Sequence, residues 1–388
     1  MHIGFVNFNT EEKKRVAEMM QLLKEQEAVE ELGIGRVRDY FSNNLFPGTS
    51  TLQHHAKYFV VLPWIYYNAI TGHKKFKDRK EVDEYIRKEE IKLTRCLSKG
   101  NQGAIGITGK DKIDEAENDY KKYVKYNPTY IYSSGLHKYG IVSSTNIEQL
   151  ILSCNDEHHQ EFTEDSEEKK GHSRHVVTCG ENYDRESEMS LKLTEKEAGF
   201  LRGKILSVCK ESMLGKLIES GKEMPESYFD AAVLIQNHPK ILDLYTKSVL
   251  FSKLIHILDW RYNYVYYNSF HHEDKAEKCL TEFNRLKKAF SDDIAKNPQL
   301  EDQYLELFSA ISTIDPKLTE FCENCYSVLD SPEDLDPLII EREKKVKQKR
   351  AKIGSTAYKD KDRSAPQPNT FRWATVSTIV NEINNHEK

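Results

Sequence analysis

The sequence is poor in cysteine and has no apolar run of membrane-spanning length. It holds 7 cysteines among 388 residues, so we expect no disulfide framework and a reducing cytoplasm. The longest apolar run, residues 58–70, carries Asn68 and is shorter than the roughly 20 residues that span a bilayer. The apolar run near the N-terminus is too short for a secretory signal peptide. We therefore expect a cytoplasmic protein that does not enter a membrane.

The sequence also lacks the short motifs of familiar enzyme classes. It contains no GxSxG, no HExxH and no zinc-deaminase pattern. The stretch GAIGITGK resembles a phosphate-binding loop, but Gly103 and Gly109 are one residue too far apart and Asp111 follows Lys110. No cofactor and no metal site are indicated. Because nuclease sites often scatter their carboxylates, a metal-dependent nuclease or other hydrolase stays open as an alternative.

Neither sign of charge dominates. The chain has 57 basic and 62 acidic residues, for a net charge of -5. This balance argues against a protein that coats nucleic acid over its whole surface, but it allows a local basic patch. Hydrophobic residues make up 38% and charged residues 31%, which is a globular composition, and the length suggests two to three domains.

The N-terminal part is predicted to be mainly helical, with minor strand content. A short strand is expected at residues 3–8, then helices over residues 11–30 and 36–45. Phe46, Pro47 and Gly48 predict a turn. A third helix should run from about Thr51 to at least residue 62, where Pro63 should kink or end it.

A helix, a tight turn and a second helix outline a helix-turn-helix, and the following segment to residue 142 could complete a winged helix. Polar side chains of the second helix would contact bases or phosphates, and arginines of the first would hold the backbone. A plain pair of antiparallel helices explains the same pattern. The candidate nucleic-acid contacts here are Arg36, Arg38, Ser50, Thr51, Gln53, His54 and Lys57.

Four consecutive parts are predicted: an N-terminal domain at 1–153, a polar linker or mobile loop at 154–190, a helical bundle at 191–330 and a C-terminal part at 331–388. Thr194 and Glu197 predict a capping box at the start of the bundle. Residues 242–267 predict its central buried helix. His256, Asp259 and Arg261 lie in that helix, where a structural ion pair is favoured over a functional cluster.

The C-terminal part opens with a strongly basic helix, predicted at residues 338–353. Such density of positive charge favours a phosphate backbone or an acidic partner, and a solvated helix face is the alternative. A polar loop and a last amphipathic helix that docks on the bundle should follow. The candidate contacts in the basic helix are Lys344, Lys345, Lys347, Lys349 and Arg350.

A series of motifs in order along the chain resembles a bacterial family known only as a domain of unknown function. The motifs are GFVNF, LGIGRVRD, LFPGTSTLQHHAKYFVVLPWIY, PTYIYSSGLHKYGI, LTEKEAGFL, FSKLIHILDWRYNYVYYN and FRW. The resemblance implies a prokaryotic cytoplasmic protein, often beside phage-defence or DNA-modification genes, and no catalytic residues. The polar stretch at 156–188 departs from the family pattern. We therefore expect a non-catalytic, nucleic-acid-associated protein or adaptor subunit, with DNA or protein partners.

Overall fold

Helices account for nearly all of the regular structure. A computed structural model describes residues 30–72, 74–160, 176–180 and 188–386. Within these residues, extended segments pair at one isolated antiparallel bridge, between Val142 and Val177. The mainly α fold predicted from the sequence is therefore confirmed. The strand predicted at residues 3–8 and the helix predicted at 11–30 lie outside the described residues, apart from Glu30.

The α-helices are numbered here in chain order. They are α1 (Gly35–Leu45), α2 (Tyr58–Thr71), α3 (Arg79–Gly100), α4 (Ile113–Asn118), α5 (Pro128–Lys138), α6 (Ile147–Gln160), α7 (Glu195–Cys209), α8 (Met213–Ser220), α9 (Pro239–Asn268), α10 (Glu273–Lys296), α11 (Gln299–Ser312), α12 (Pro316–Ser327), α13 (Pro332–Lys347) and α14 (Trp373–Asn384).

The described residues pack into two compact units, and each unit combines separate stretches of the chain. The first unit contains the described part of Met1–Phe41 together with Leu244–Phe371. The second contains the described parts of Ser42–Asp243 and Arg372–Lys388. The predicted division into four consecutive parts concerns segments of the chain rather than packing, and it stays a prediction.

Helix α2 is the buried centre of the second unit. Its apolar sequence leaves no polar face, and Phe59, Val60 and Leu62 are fully buried. The Phe59 ring lies 5.0 Å from the ring of Tyr132 and 5.2 Å from that of Tyr139. Such edge and tilted contacts add to the area that these rings bury. Aromatic packing therefore joins α2 to α5 and the residue that follows it.

The predicted start of this helix was wrong, and the helix does not end at Pro63. Helix α2 begins at Tyr58 rather than near Thr51, and it continues through Pro63 to Thr71. A proline in a helix interior removes one backbone hydrogen bond and normally kinks or breaks the helix. Here the residues on both sides of Pro63 are buried, so tertiary packing overrides the local preference.

Two helix ends follow their sequence signals. The Thr194 side chain accepts a hydrogen bond from the Glu197 N–H, and the Glu197 carboxylate accepts one from the Thr194 N–H. The capping box at the start of α7 is therefore confirmed. Helix α8 ends at Gly221, whose φ of 63° places it in the left-handed region, as is usual for a glycine after a helix.

The first unit contains α10 to α13, most of α9 and residues 35–41 of α1. Tyr304 and Tyr326 lie 5.0 Å apart between ring centroids, and Phe290 and Phe308 pack against both. Cys322 of α12 is a fully buried free thiol, and burial raises its pKa to about 12. A thiol with such a high pKa is a poor nucleophile and metal ligand, so the buried Cys322 side chain serves packing.

The length and the apolarity of a helix together decide whether it can cross a bilayer. Among the described residues, no helix has both the length and the apolar sequence that a membrane span requires.

Replacing Gly135 with alanine tests the close approach of α5 to the turn at Gly48. An added Cβ would lie 2.4 Å from the Gly48 carbonyl oxygen and 2.7 Å from the Phe59 ring. We expect Gly135→Ala to lower the free energy of unfolding by about 1–3 kcal/mol through overpacking, measured by urea denaturation. The control is Gly199→Ala in α7, where nothing lies within 4 Å of the new Cβ.

The control substitution should raise stability by about 0.5–1 kcal/mol, because alanine favours a helix interior over glycine. Equal stability of the two variants would contradict the packing described for α5.

Candidate functional site

The residues predicted to form a recognition helix precede α2 and form turns. Ser50 and Thr51 lie in a turn in which the Ser50 N–H donates to the Gln53 side chain at 3.1 Å. The helix-turn-helix is therefore not confirmed. The hydroxyl of Tyr132 explains the geometry, since it accepts hydrogen bonds from the backbone N–H groups of His54 and His55. These long-range contacts replace the bonds that a helix would make.

Gln53 is buried at 1% exposure. Its amide donates to the carbonyl oxygens of Gly48 at 3.3 Å and Ile131 at 3.4 Å. Both partners belong to the second unit. The side chain therefore fixes the turn, although the sequence suggested a role in reading bases.

Lys57 is likewise buried, at 5% exposure. Its ammonium group lies 2.7 Å from both carboxylate oxygens of Glu197 and 3.4 Å from the Lys192 carbonyl oxygen. Lys57 thus anchors the start of α2 to the capping box of α7 within the second unit.

Two other residues of the predicted recognition helix, Thr51 and His54, are exposed.

Arg36 and Arg38 lie in the first turn of α1, in the first unit. Arg38 forms ion pairs with Glu30 and with Asp39, the latter at 3.2 Å. Arg36 is exposed, and its side chain makes no hydrogen bond or ion pair with another described residue. Arg36 is therefore the one of the two that is open to an external anion.

The basic helix begins and ends six residues earlier than predicted and is more deeply packed. Helix α13 ends at Lys347, and a 3-10 turn follows at Gln348–Arg350. Arg342 and Lys347 are buried, at 8% and 4% exposure. The alternative of a solvated helix face is thus wrong for these two residues. Lys344, Lys345, Lys349 and Arg350 are exposed, and their contact with a phosphate stays a prediction.

Arg342 binds three backbone carbonyl groups. Its guanidinium donates to the oxygens of Leu32 at 2.9 Å, Gly33 at 3.4 Å and Lys317 at 3.2 Å. Its charge also lies 5.5 Å from the centre of the Phe321 ring. This arginine therefore joins α13 to α12 and to the segment that precedes α1, all in the first unit.

These contacts shape a groove of about 1010 Å³ in the first unit. Arg36, Lys345 and Arg350, which come from the two basic clusters that the sequence predicted separately, line this groove together. Lys317 adds a further positive charge, which no sequence signal indicated. The apolar part of the lining comes from Phe321, Leu338 and Val346.

Most carboxylates of the groove already have partners. Glu30 pairs with Arg38, and Glu341 pairs with Lys345 at 2.8 Å. The Asp315 side chain caps α12 by accepting the Leu318 N–H at 3.0 Å. Glu320 is the remaining carboxylate of the lining.

The three polar residues of the central helix have different surroundings. Arg261 forms the expected structural ion pair, with Nε 2.5 Å from an Asp336 oxygen. His256 accepts a hydrogen bond from the Trp260 indole N–H at 3.0 Å. Asp259 instead lines a second, smaller cavity of the first unit. The sequence left open a functional role for Asp259 as the alternative to a structural ion pair.

In the parts of the chain that the structure covers, no group of three or more His, Cys, Asp or Glu side chains is arranged to hold a metal ion. The alternative prediction of a metal-dependent nuclease or hydrolase stays a prediction.

Comparison with known proteins places the chain in a family. Residues 1–235 match the model of the family of unknown function DUF6361, and the chain belongs to this family. The match confirms the resemblance to an uncharacterised domain family. No curated protein and no solved structure matches the chain.

Replacing Lys57 with methionine tests whether this residue is structural. Its loss would leave the buried Glu197 carboxylate without its charged partner. Removing one member of a buried ion pair typically costs about 3–5 kcal/mol, and we expect a loss of that size in urea denaturation. The matched control is Lys222→Met, at an exposed position, which should change stability by less than about 0.5 kcal/mol. Similar values for the two variants would refute the structural role.

Proposed function

We propose that the protein is a non-catalytic, nucleic-acid-associated protein or adaptor that contacts phosphates through the rim of the groove in the first unit. The supporting observation is the meeting of Arg36, Lys317 and Arg350 on one groove. These three side chains are exposed, and none forms an ion pair with another described residue. Charged side chains of this kind supply most of the affinity of proteins for nucleic acids.

The pairing of the acidic residues supports the same proposal. Because Glu30 and Glu341 are neutralised by Arg38 and Lys345, they add little repulsion toward a phosphate. Arginine also suits this role because its planar group can donate two parallel hydrogen bonds to one phosphate. Lys344 and Lys349, which are exposed on α13 and the turn after it, add positive charge nearby in the sequence.

The apolar floor supports a second candidate function. Phe321 is buried against α13, and Leu338 and Val346 are partly exposed to the groove. An apolar floor between charged rims is typical of grooves that hold a peptide segment. The protein would then act as an adaptor for a protein partner.

The association with phage-defence or DNA-modification genes stays a prediction from the family resemblance.

A salt titration of binding to short duplex and single-stranded DNA tests the nucleic-acid function. Three phosphate contacts predict a slope of about -2.7 in the logarithmic plot for duplex DNA. Affinity should then fall about 40-fold between about 50 and 200 mM salt. The triple variant Arg36→Glu, Lys317→Glu and Arg350→Glu should lose most of the binding, as measured by fluorescence anisotropy.

The matched control reverses three exposed lysines of α10, namely Lys278, Lys288 and Lys296. It makes the same change in net charge outside the groove and should keep most of the affinity. Equal losses in both variants would show a general effect of net charge and would contradict the proposed site. Absence of binding at low salt would reject the nucleic-acid function and leave the adaptor function.

A further inference from the structure

A charged contact joins helix α14 to the segment that precedes α2, within the second unit. One oxygen of the Glu382 carboxylate lies 2.7 Å from Nδ1 of His55, and the other accepts the Ala56 N–H at 2.6 Å. Only 15% of the His55 side chain and 21% of the Glu382 side chain are exposed. Solvent ions therefore screen this contact much less than they screen a pair on the open surface.

The second ring nitrogen of His55 also faces an acceptor. Nε2 lies 2.9 Å from the carbonyl oxygen of Ile105, in the segment between α3 and α4. A neutral imidazole carries one N–H group, whereas the imidazolium form carries two. Since a carboxylate and a carbonyl oxygen only accept, both contacts are hydrogen bonds only when the ring is protonated. The two contacts together therefore require the charged form of His55.

The titratable groups next to His55 favour the same form. Burial lowers the pKa of His55, but the hydrogen bonds to Glu382 and Ile105 and the charge of Glu382 together raise it above its ordinary value. Burial and the charge of His55 lower the pKa of His54. The hydroxyl of Tyr132 donates to the His55 carbonyl oxygen at 3.0 Å, and burial holds the pKa of this tyrosine far above neutral. Neither neighbour therefore carries a charge that opposes Glu382 near neutral pH.

Other polar contacts of α14 with the second unit come from side chains that do not titrate near neutral pH. Asn381 accepts the Met224 N–H at 3.0 Å, and Asn384 accepts a hydrogen bond from the Arg202 guanidinium at 3.1 Å. An arginine stays protonated throughout this range. The ring of His386, which follows α14, contacts a carbonyl group of its own helix and needs a control of its own.

We propose that His55 is a pH-sensitive clamp: its protonated ring holds α14 on the second unit, and loss of the proton as the pH rises loosens this helix. A neutral ring keeps at most one of its two contacts as a hydrogen bond. Its unprotonated nitrogen then faces either Glu382 or the Ile105 carbonyl oxygen, lone pair against lone pair. The clamp does not depend on the groove or on the nucleic-acid function, because all of its residues belong to the second unit.

The clamp predicts a pH dependence with a definite sign. A histidine whose pKa is raised by folding contributes its full stabilisation below the unfolded value of about 6.5. The contribution of His55 should therefore decrease as the pH rises above that value, and it should be lost once the pH passes the raised pKa of the folded protein. The lowered pKa of His54 would give the opposite trend.

Hydrogen–deuterium exchange of the full chain, followed by mass spectrometry from about pH 6 to about pH 8.5, tests this proposal. After correction for the intrinsic exchange rate, the protection of peptides from α14 should fall about tenfold over this range. One hydrogen bond to a charged group supplies a factor of about that size. Peptides from α12 in the first unit are the internal reference, and their protection should change far less.

His55→Gln removes the titrating ring, so its α14 protection should be lower than that of the wild type at the acidic end and nearly independent of pH. Glu382→Gln removes the charged partner and should abolish most of the fall, which provides a second variant in case His55→Gln does not fold. His54→Gln and His386→Gln are the matched controls and should keep the fall. Wild-type protection that does not decrease with pH, an unchanged decrease in His55→Gln, or a decrease that disappears in a control would overturn the proposal.

Discussion

The buried guanidinium of Arg342 fixes the segment from Glu30 to Gly35, and the groove and the smaller cavity both depend on that segment. The carbonyl groups of Leu32 and Gly33 accept its hydrogen bonds. Burying a charge is costly unless it is well paired, and these carbonyl dipoles offset the cost. Since residues of this segment line both the groove and the smaller cavity, this contact from α13 positions one wall of each.

The groove and the smaller cavity differ in whether their cations are paired. In the groove, Glu30 and Glu341 pair with Arg38 and Lys345. The cations Arg36, Lys317 and Arg350 are left exposed. In the smaller cavity, Arg363 is neutralised by Glu31. The small net charge of the whole chain conceals this local difference.

Local sequence signals predicted those features whose causes are local. The capping box at Thr194 and the helix containing Arg36 depend on neighbouring residues, so their patterns were sufficient. The turn at Ser50 to Lys57 could not be predicted in this way, because Tyr132 and Glu197 determine it from distant positions. Arg36, Lys345 and Arg350 were candidates in the sequence, but Lys317 was not, and the meeting of these residues on one groove depends on the packing of α1, α12 and α13. Burial of Lys57 and Lys347 also follows from tertiary packing alone.

The final helix has a consequence for the order in which the protein is made. Trp373 at the start of α14 donates to the Pro225 carbonyl oxygen at 3.2 Å, and its ring packs against Phe46 and Tyr228. All three partners leave the ribosome long before α14 does. While residues 244–371 are being translated, the aromatic surface that Trp373 will cover is therefore exposed. Partly folded intermediates with such exposed apolar surface are the ones that chaperones bind. A fragment cut at residue 235, where the family match ends, would keep that surface permanently.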